Sequence, residues 1–244
     1  MKKIILFSGL ILGLFACKDE LPKKLSGPNI DLPPSNSGLI AHYYFNMNAK
    51  DETSFKRNGT LNGPVDFVNS RDSKQVNAAS FNGENNYITL PGIDLISDSS
   101  TVSIWFLIKF FPFAKDTASF ISLHSNQSVY KLGFYNKDYD SGNMFVEQKT
   151  GGKTFRTFTD SLPTIDRWYH FAATTTPEET ILYVDGRIFS KTKTNQANWF
   201  FPNTILAYVG SNSKKSGFLN GYLDDLRIYD KTLNSQEIID LYTE

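Results

Sequence analysis

The 244-residue chain sets 25 Lys and Arg against 25 Asp and Glu, with 40% of its residues apolar and 14% aromatic. That length fits one domain of roughly 200 residues or two small ones, long enough to bury a large core. Neutrality argues against nucleic acid or an acidic membrane surface as the main partner, the single Cys excludes a disulfide framework or a Cys-rich metal site, and the aromatic content excludes a disordered chain.

Met1, Lys2 and Lys3 form a short basic start to an apolar run from Ile4 to Ala16. The run is too short to cross a hydrocarbon core of about 30 Å but has the length of a signal-peptide core. It closes on Leu14, Phe15, Ala16 and Cys17, which resembles a bacterial lipobox. The resemblance implies that residues 1–17 are a lipoprotein signal ending at Cys17, whose acyl chains tie the protein to a membrane. The next residues, Lys18, Asp19 and Glu20, resemble the lysine-plus-acidic export tag of surface lipoproteins and read equally as the charged start of a tether. Residues 18–37 are rich in Pro and Ser without apolar periodicity, the composition of a semi-extended spacer. The implied address is the bacterial cell envelope, as an outer-membrane lipoprotein that can face the cell surface.

From Gly38 to Glu244 apolar residues recur at period two, and this stretch reads as one domain. Leu39 to Phe45 is the first strand. Thr101 to Lys109 sets Val102, Ile104, Phe106 and Ile108 on one face and Trp105 and Leu107 on the other, the pattern of a strand buried on both sides. Phe120–Leu123, Tyr130–Tyr135, Met144–Gln148 and Phe155–Thr159 continue the series, and Asn136 to Asn143 reads as an exposed loop. Asp185-Gly186 between Ile181–Val184 and Arg187–Phe189 is a hairpin signal, because both central residues must take positive φ. Only Gln236 to Tyr242 reads as helical, with Ser235 as its cap. The fold class is therefore all-β: a two-sheet antiparallel jelly-roll sandwich with a short C-terminal helix.

Six segments in order strengthen that reading. They are Gly38–Asn46, Phe81–Ile88, Thr101–Phe106, Trp168–Ala172 with Leu182–Gly186, and Phe218–Tyr229, closed by Leu233 and Glu237-Ile238. Together they resemble the laminin G-like domains of the concanavalin A-like jelly-roll superfamily. The resemblance identifies a fold and implies a non-catalytic binding module for carbohydrate or for an envelope or extracellular protein; it names no ligand.

The residues themselves offer little catalytic chemistry. His42, His124 and His170 form no close pair, so zinc sites of the H-x-x-x-H kind are absent. Retaining glycosidases need two carboxylates about 5–5.5 Å apart, which on a strand would read E-x-D, and no such string occurs. The expectation is a protein that is not an enzyme, with a glycoside hydrolase as the weaker alternative. Alternation along Tyr222 to Tyr229 places Asp224 with core-facing Tyr222, Leu226 and Ile228. A buried carboxylate needs a cation or a set of donors. The family resemblance implies a structural Ca²⁺ there, shared with Asp51 of the loop after the first strand; Lys56 or Arg57 is the alternative counter-ion. For ligand binding, Trp199, Phe200 and Phe201 form an aromatic cluster that either stacks on a sugar ring or roofs one end of the sandwich. Phe110 to Phe113 is a similar candidate.

Overall fold

The structure, a computed structural model, describes residues 37–71, 77–93, 99–112, 116–126, 128–138, 141–160, 163–194, 206–213 and 216–244. Cys17, the tether up to residue 36, and the Trp199, Phe200 and Phe201 cluster lie outside the described residues.

The described residues form fifteen strands and one helix, arranged in two antiparallel sheets. One sheet runs β13 (Arg187–Lys193), β12 (Glu179–Val184), β11 (Trp168–Thr175), β6 (Ser100–Phe110), β15 (Asn220–Tyr229), β4 (Ala78–Asn82) and β3 (Asp66–Val68), with β1 (Leu39–Tyr43) also paired to β15. The other runs β10 (Lys153–Phe158), β9 (Ser141–Thr150), β8 (Val129–Asp138), β7 (Thr117–His124), β14 (Leu206–Val209), β5 (Tyr87–Pro91) and β2 (Thr60–Asn62). Inward residues of both sheets meet in one apolar core that includes Val102, Ile104 and Phe106 of β6 and Leu132 and Phe134 of β8. The Phe106 and Phe120 rings stack across it with centroids 4.4 Å apart. Each such fully buried side chain contributes on the order of 1.5–3 kcal/mol.

Strand β6 is buried along almost its whole length, as its two-sided apolar pattern requires. Its inner face joins the main core. Its outer face is covered by α1 (Ser235–Thr243), where Tyr242 stacks on Trp105 at 5.6 Å. Ile238 and Leu241 of the helix make a second, smaller core with Ala172, Tyr183, Tyr229 and Leu233. The helix begins one residue before the sequence suggests: Asn234, not Ser235, is the N-cap, its side chain accepting from the N–H groups of Gln236 and Glu237 while Glu237 reaches back. Asp185 and Gly186 take φ of 48° and 75°, as the β12–β13 turn demands.

Two local readings change. The ends of the stretch expected to be an exposed loop, Asn136 to Asp138 and Ser141 to Asn143, belong to strands: β8 and β9 pair as far as Asp138 and Ser141. And β15 does not alternate throughout. A bulge between Asp224 and Arg227, with Asp225 at φ 48°, opposes two residues, Asp225 and Leu226, to the single Ile104 of β6. It shifts the phase by one, so Leu223 and Leu226 both reach the main core. Tyr222 and Asp224 therefore sit on the opposite face from Leu226 and Ile228: Tyr222 meets Trp168, and Asp224 is buried beneath Arg71 rather than within the sandwich.

Candidate functional site

The outer face of the seven-stranded sheet is defined by the same alternation that builds the core. On β8, Tyr130, Leu132 and Phe134 point inward, leaving Lys131, Gly133 and Tyr135 outside. On β9, Met144 and Val146 point inward, leaving Phe145 and Glu147 outside. Cross-strand register sets Glu147 directly opposite Lys131 on one side and Arg156 of β10 on the other. One step of two residues along, Phe145 lies between Gly133 and Phe158. The face thus carries a charged row beside an aromatic row, roughly 7 Å apart at about 3.4 Å of rise per residue. Together with Thr117 and Tyr135 these side chains line a cavity of about 380 Å³.

Gly133, buried beside Phe145 in this register, is a glycine because packing forces the choice. A bulge in β7 between Ser119 and Ile121 brings its backbone close, so a Cβ on Gly133 would stand 2.3 Å from the Ala118 carbonyl oxygen. No side chain larger than hydrogen fits without moving a strand.

The charged row is tightly paired. Lys131 Nζ lies 3.1 Å from Glu147 Oε1, and Arg156 donates from Nε to Glu147 Oε2 at 2.6 Å. Burial alone would raise the Glu147 carboxyl, but the Lys131 charge and the hydrogen bonds from Arg156 and Lys131 outweigh it and hold the group below the usual carboxylate range. The row continues across the sheet: Lys131 faces Ser122, Ser122 faces Tyr208, Tyr208 faces Thr89, and Thr89 faces Thr60. One polar line therefore crosses all seven strands. Tyr208 is flanked by Tyr87 at 5.9 Å and by His124, edge to face, at 5.3 Å.

The sequence reading missed this set. The alternation does mark Lys131, Phe145, Glu147, Arg156 and Phe158 as outward. Their meeting depends on a register that no local signal encodes.

The two acids expected to share Ca²⁺ belong to separate networks. Asp51 is a loop organiser, accepting from the N–H groups of His42, Thr53 and Arg57 and from the Thr53 hydroxyl. Burial works to raise its carboxyl, and these hydrogen bonds bring it down overall. Asp224 is met by Arg71 at 2.8 Å, not by Lys56 or Arg57, and Arg71 also lies over the Trp105 ring at 4.5 Å. His42 stands between the two: its backbone N–H goes to Asp51, and its Nε2 lies 2.8 Å from Asp225 Oδ1. Among the described residues no group of three or more His, Cys, Asp or Glu side chains is placed to hold a metal ion. Calcium takes six to eight oxygens, and oxygens already committed to Arg71, Thr53 and backbone donors do not fit that demand.

Adjacent Asp224 and Asp225 are pushed apart. Desolvation raises Asp224 to about 7 against the opposing pull of Arg71. Asp225 is also buried, but the hydrogen bond to His42 and the Arg227 charge outweigh that and hold it far below the carboxylate range. His170 is a framework residue: Nε2 meets Ser103 Oγ at 2.8 Å, and complete burial drives its pKa down to about 3. Phe110, from the second aromatic candidate, is 67% exposed at the end of β6.

Two antiparallel sheets packed face to face, closed by one short C-terminal helix, define a jelly-roll sandwich. The chain belongs to the concanavalin A-like lectin/glucanases superfamily, whose laminin G-like model matches residues 82–239. No curated protein sequence matches it. Among solved structures it is similar to domain 4 of an extracellular arabinanase from Geobacillus stearothermophilus, determined with arabinotriose. The two share 22% identity and a TM-score of 0.68 over 84% of this chain and 98% of that one. It is also similar to the receptor-binding domain of the botulinum neurotoxin C/D mosaic serotype, at 16% identity and a TM-score of 0.68, covering 86% of this chain and 52% of the toxin domain. A third similarity, at 12% identity and a TM-score of 0.67, is to the binding domain of botulinum neurotoxin DC in complex with rat synaptotagmin II, covering 84% of this chain and 51% of that one. This chain spans about half the length of the toxin domains it matches. At these identities the likeness is one of fold.

Proposed function

We propose that this protein is a non-catalytic carbohydrate-binding module, held at the bacterial cell envelope by an acylated Cys17. The observation that carries the reading is the cavity on the outer face of the seven-stranded sheet, where Tyr135 and the exposed Phe158, backed by buried Phe145, stand beside Lys131, Glu147 and Arg156. Aromatic rings offer flat apolar area to a sugar face at little entropic cost, and fixed polar groups orient its hydroxyls. The arabinanase domain bound to arabinotriose supports the same reading by its shared fold. Glu147 suits binding better than bond cleavage: a carboxylate clamped between two cations is a poor proton donor near neutrality. A glycan array probed with the full-length protein tests the proposal. Binding to at least one glycan, lost in Phe158→Ala without a change in melting temperature, supports it; an array with no hits counts against it.

The anchor has its own test. Metabolic labelling with palmitate is expected to tag the wild type and not Cys17→Ser, and unlabelled wild type would remove the lipoprotein part of the reading.

A protein partner is the second reading. The β1–β2 connection exposes Met47 at 69% and Phe55 at 54%, and one similar toxin domain was determined in complex with another protein, rat synaptotagmin II. Affinity capture that survives Phe158→Ala but fails in Phe55→Ser would favour it.

A further inference from the structure

We infer that the glycan taken by this face carries carboxylates, as a uronate-containing polymer does, with its acid groups on the Lys131–Arg156 row and a ring face on Phe158, which is 37% exposed where its neighbour Phe145 is buried. This rests on the reading of the same face as a carbohydrate site and adds the ligand's charge.

The sign of the corner comes first. The cavity lining holds two cations and one anion, a surplus of one positive charge. The three groups also differ in depth. The Glu147 side chain is 11% exposed, Lys131 21% and Arg156 54%. An approaching ligand therefore meets the guanidinium first, with the carboxylate sealed beneath it. Glu147 has both oxygens engaged, Oε1 by Lys131 and Oε2 by Arg156, so it has little left to offer a neutral sugar's hydroxyls. What the corner presents outward is cationic: Arg156 turns its Nε–Nη2 edge to Glu147, and the Nη1 end of the guanidinium is left to meet a ligand carboxylate, which it matches better than a hydroxyl.

The spacing agrees. The charged and aromatic rows are one two-residue step apart, roughly 7 Å. A pyranose centred over the aromatic row carries its exocyclic carboxylate outward by one bond from the ring, and a hydrogen bond of about 2.8 Å closes the remaining gap to a cation. Beyond Lys131 the row continues as Ser122, Tyr208, Thr89 and Thr60; Ser122 and Tyr208 are buried, so the hydroxyls of Thr89 and Thr60 at the far end are the ones open to following sugar units, and neither carries a charge for a further acid. One acid-reading corner at the end of a neutral polar track is the pattern this predicts.

The experiment is calorimetric titration of the full-length protein with oligogalacturonate and oligomannuronate, and in parallel with neutral arabinan and galactan oligomers. The expected result is binding of a uronate oligomer that weakens as NaCl rises, with Arg156→Gln and Lys131→Gln each costing about tenfold in Kd while each variant stays folded at the titration temperature. Phe158→Ala should abolish binding by a route that salt does not mimic. Binding of a neutral oligomer in preference to the uronates, unmoved by either charge substitution, would overturn the inference while leaving a carbohydrate site in place. Failure of every oligomer to bind would remove both.

Discussion

Asp224 and Asp225 show how far neighbouring residues of one type can diverge. Both are almost fully buried, yet burial wins at Asp224 and the ion pairs win at Asp225. The pH consequence follows from the signs. A carboxyl raised to about 7 in the folded state binds its proton more tightly there than in the unfolded chain, so its contribution is present in acid and is lost as pH rises from about 4 through 7. Asp225 acts oppositely, contributing above the ordinary carboxylate range and losing that as pH falls below it. Asp224→Asn is therefore expected to flatten the decline in urea midpoint between pH 4 and 7 and to leave the acid limb intact. An unchanged slope in that window would show that Asp224 stays ionised against Arg71. The hydrogen bonds of Asp51 carry a second expectation: EDTA leaves the melting temperature where it was, and a fall on chelation reversed by calcium would mean that the loop binds metal. The sequence made the burial of Asp224 legible but not its face. The bulge at Asp225, a non-glycine residue at positive φ, has no signature that a period-two reading can register.

At the scale of elements, alternation located most of the strands, because a strand half-buried in a sandwich must repeat every two residues. The Asp185-Gly186 turn was legible for a local reason too, its left-handed backbone. Where local signals compete, the reading slipped. Residues 136–143 look polar enough for a loop, yet cross-strand pairing carries β8 on to Asp138 and starts β9 at Ser141. Asn234 and Ser235 are both good caps, and the reach of Glu237 back to the Asn234 N–H decides between them. Asn234→Ala is expected to cost about 1 kcal/mol of stability in urea unfolding. Gly133→Ala should cost on the order of 1–3 kcal/mol, since an added methyl meets a backbone oxygen rather than a yielding side chain. A neutral outcome for Gly133→Ala would mean that β7 and β8 are not held at that separation.

For the whole molecule, six short motifs in order were enough to read the family, because they mark scaffold positions: turns, the central strands β6 and β15, and the covering helix. The binding face was not legible in the same way. Lys131, Glu147 and Arg156 are scattered over 26 positions of chain and become one row only when three strands pair in register. The aromatic cluster that the sequence singled out, Trp199 to Phe201, is a run of neighbours, which is the kind of pattern a linear reading sees first. The central claim is that sugar lies on the outer face of the seven-stranded sheet. Titrating the isotopically labelled protein with a binding glycan while following backbone amide shifts tests it most directly. The largest shifts are predicted at Lys131, Phe145, Glu147, Arg156 and Phe158; shifts confined to the α1 side of the other sheet, or to the β1–β2 connection around Met47 and Phe55, would contradict it.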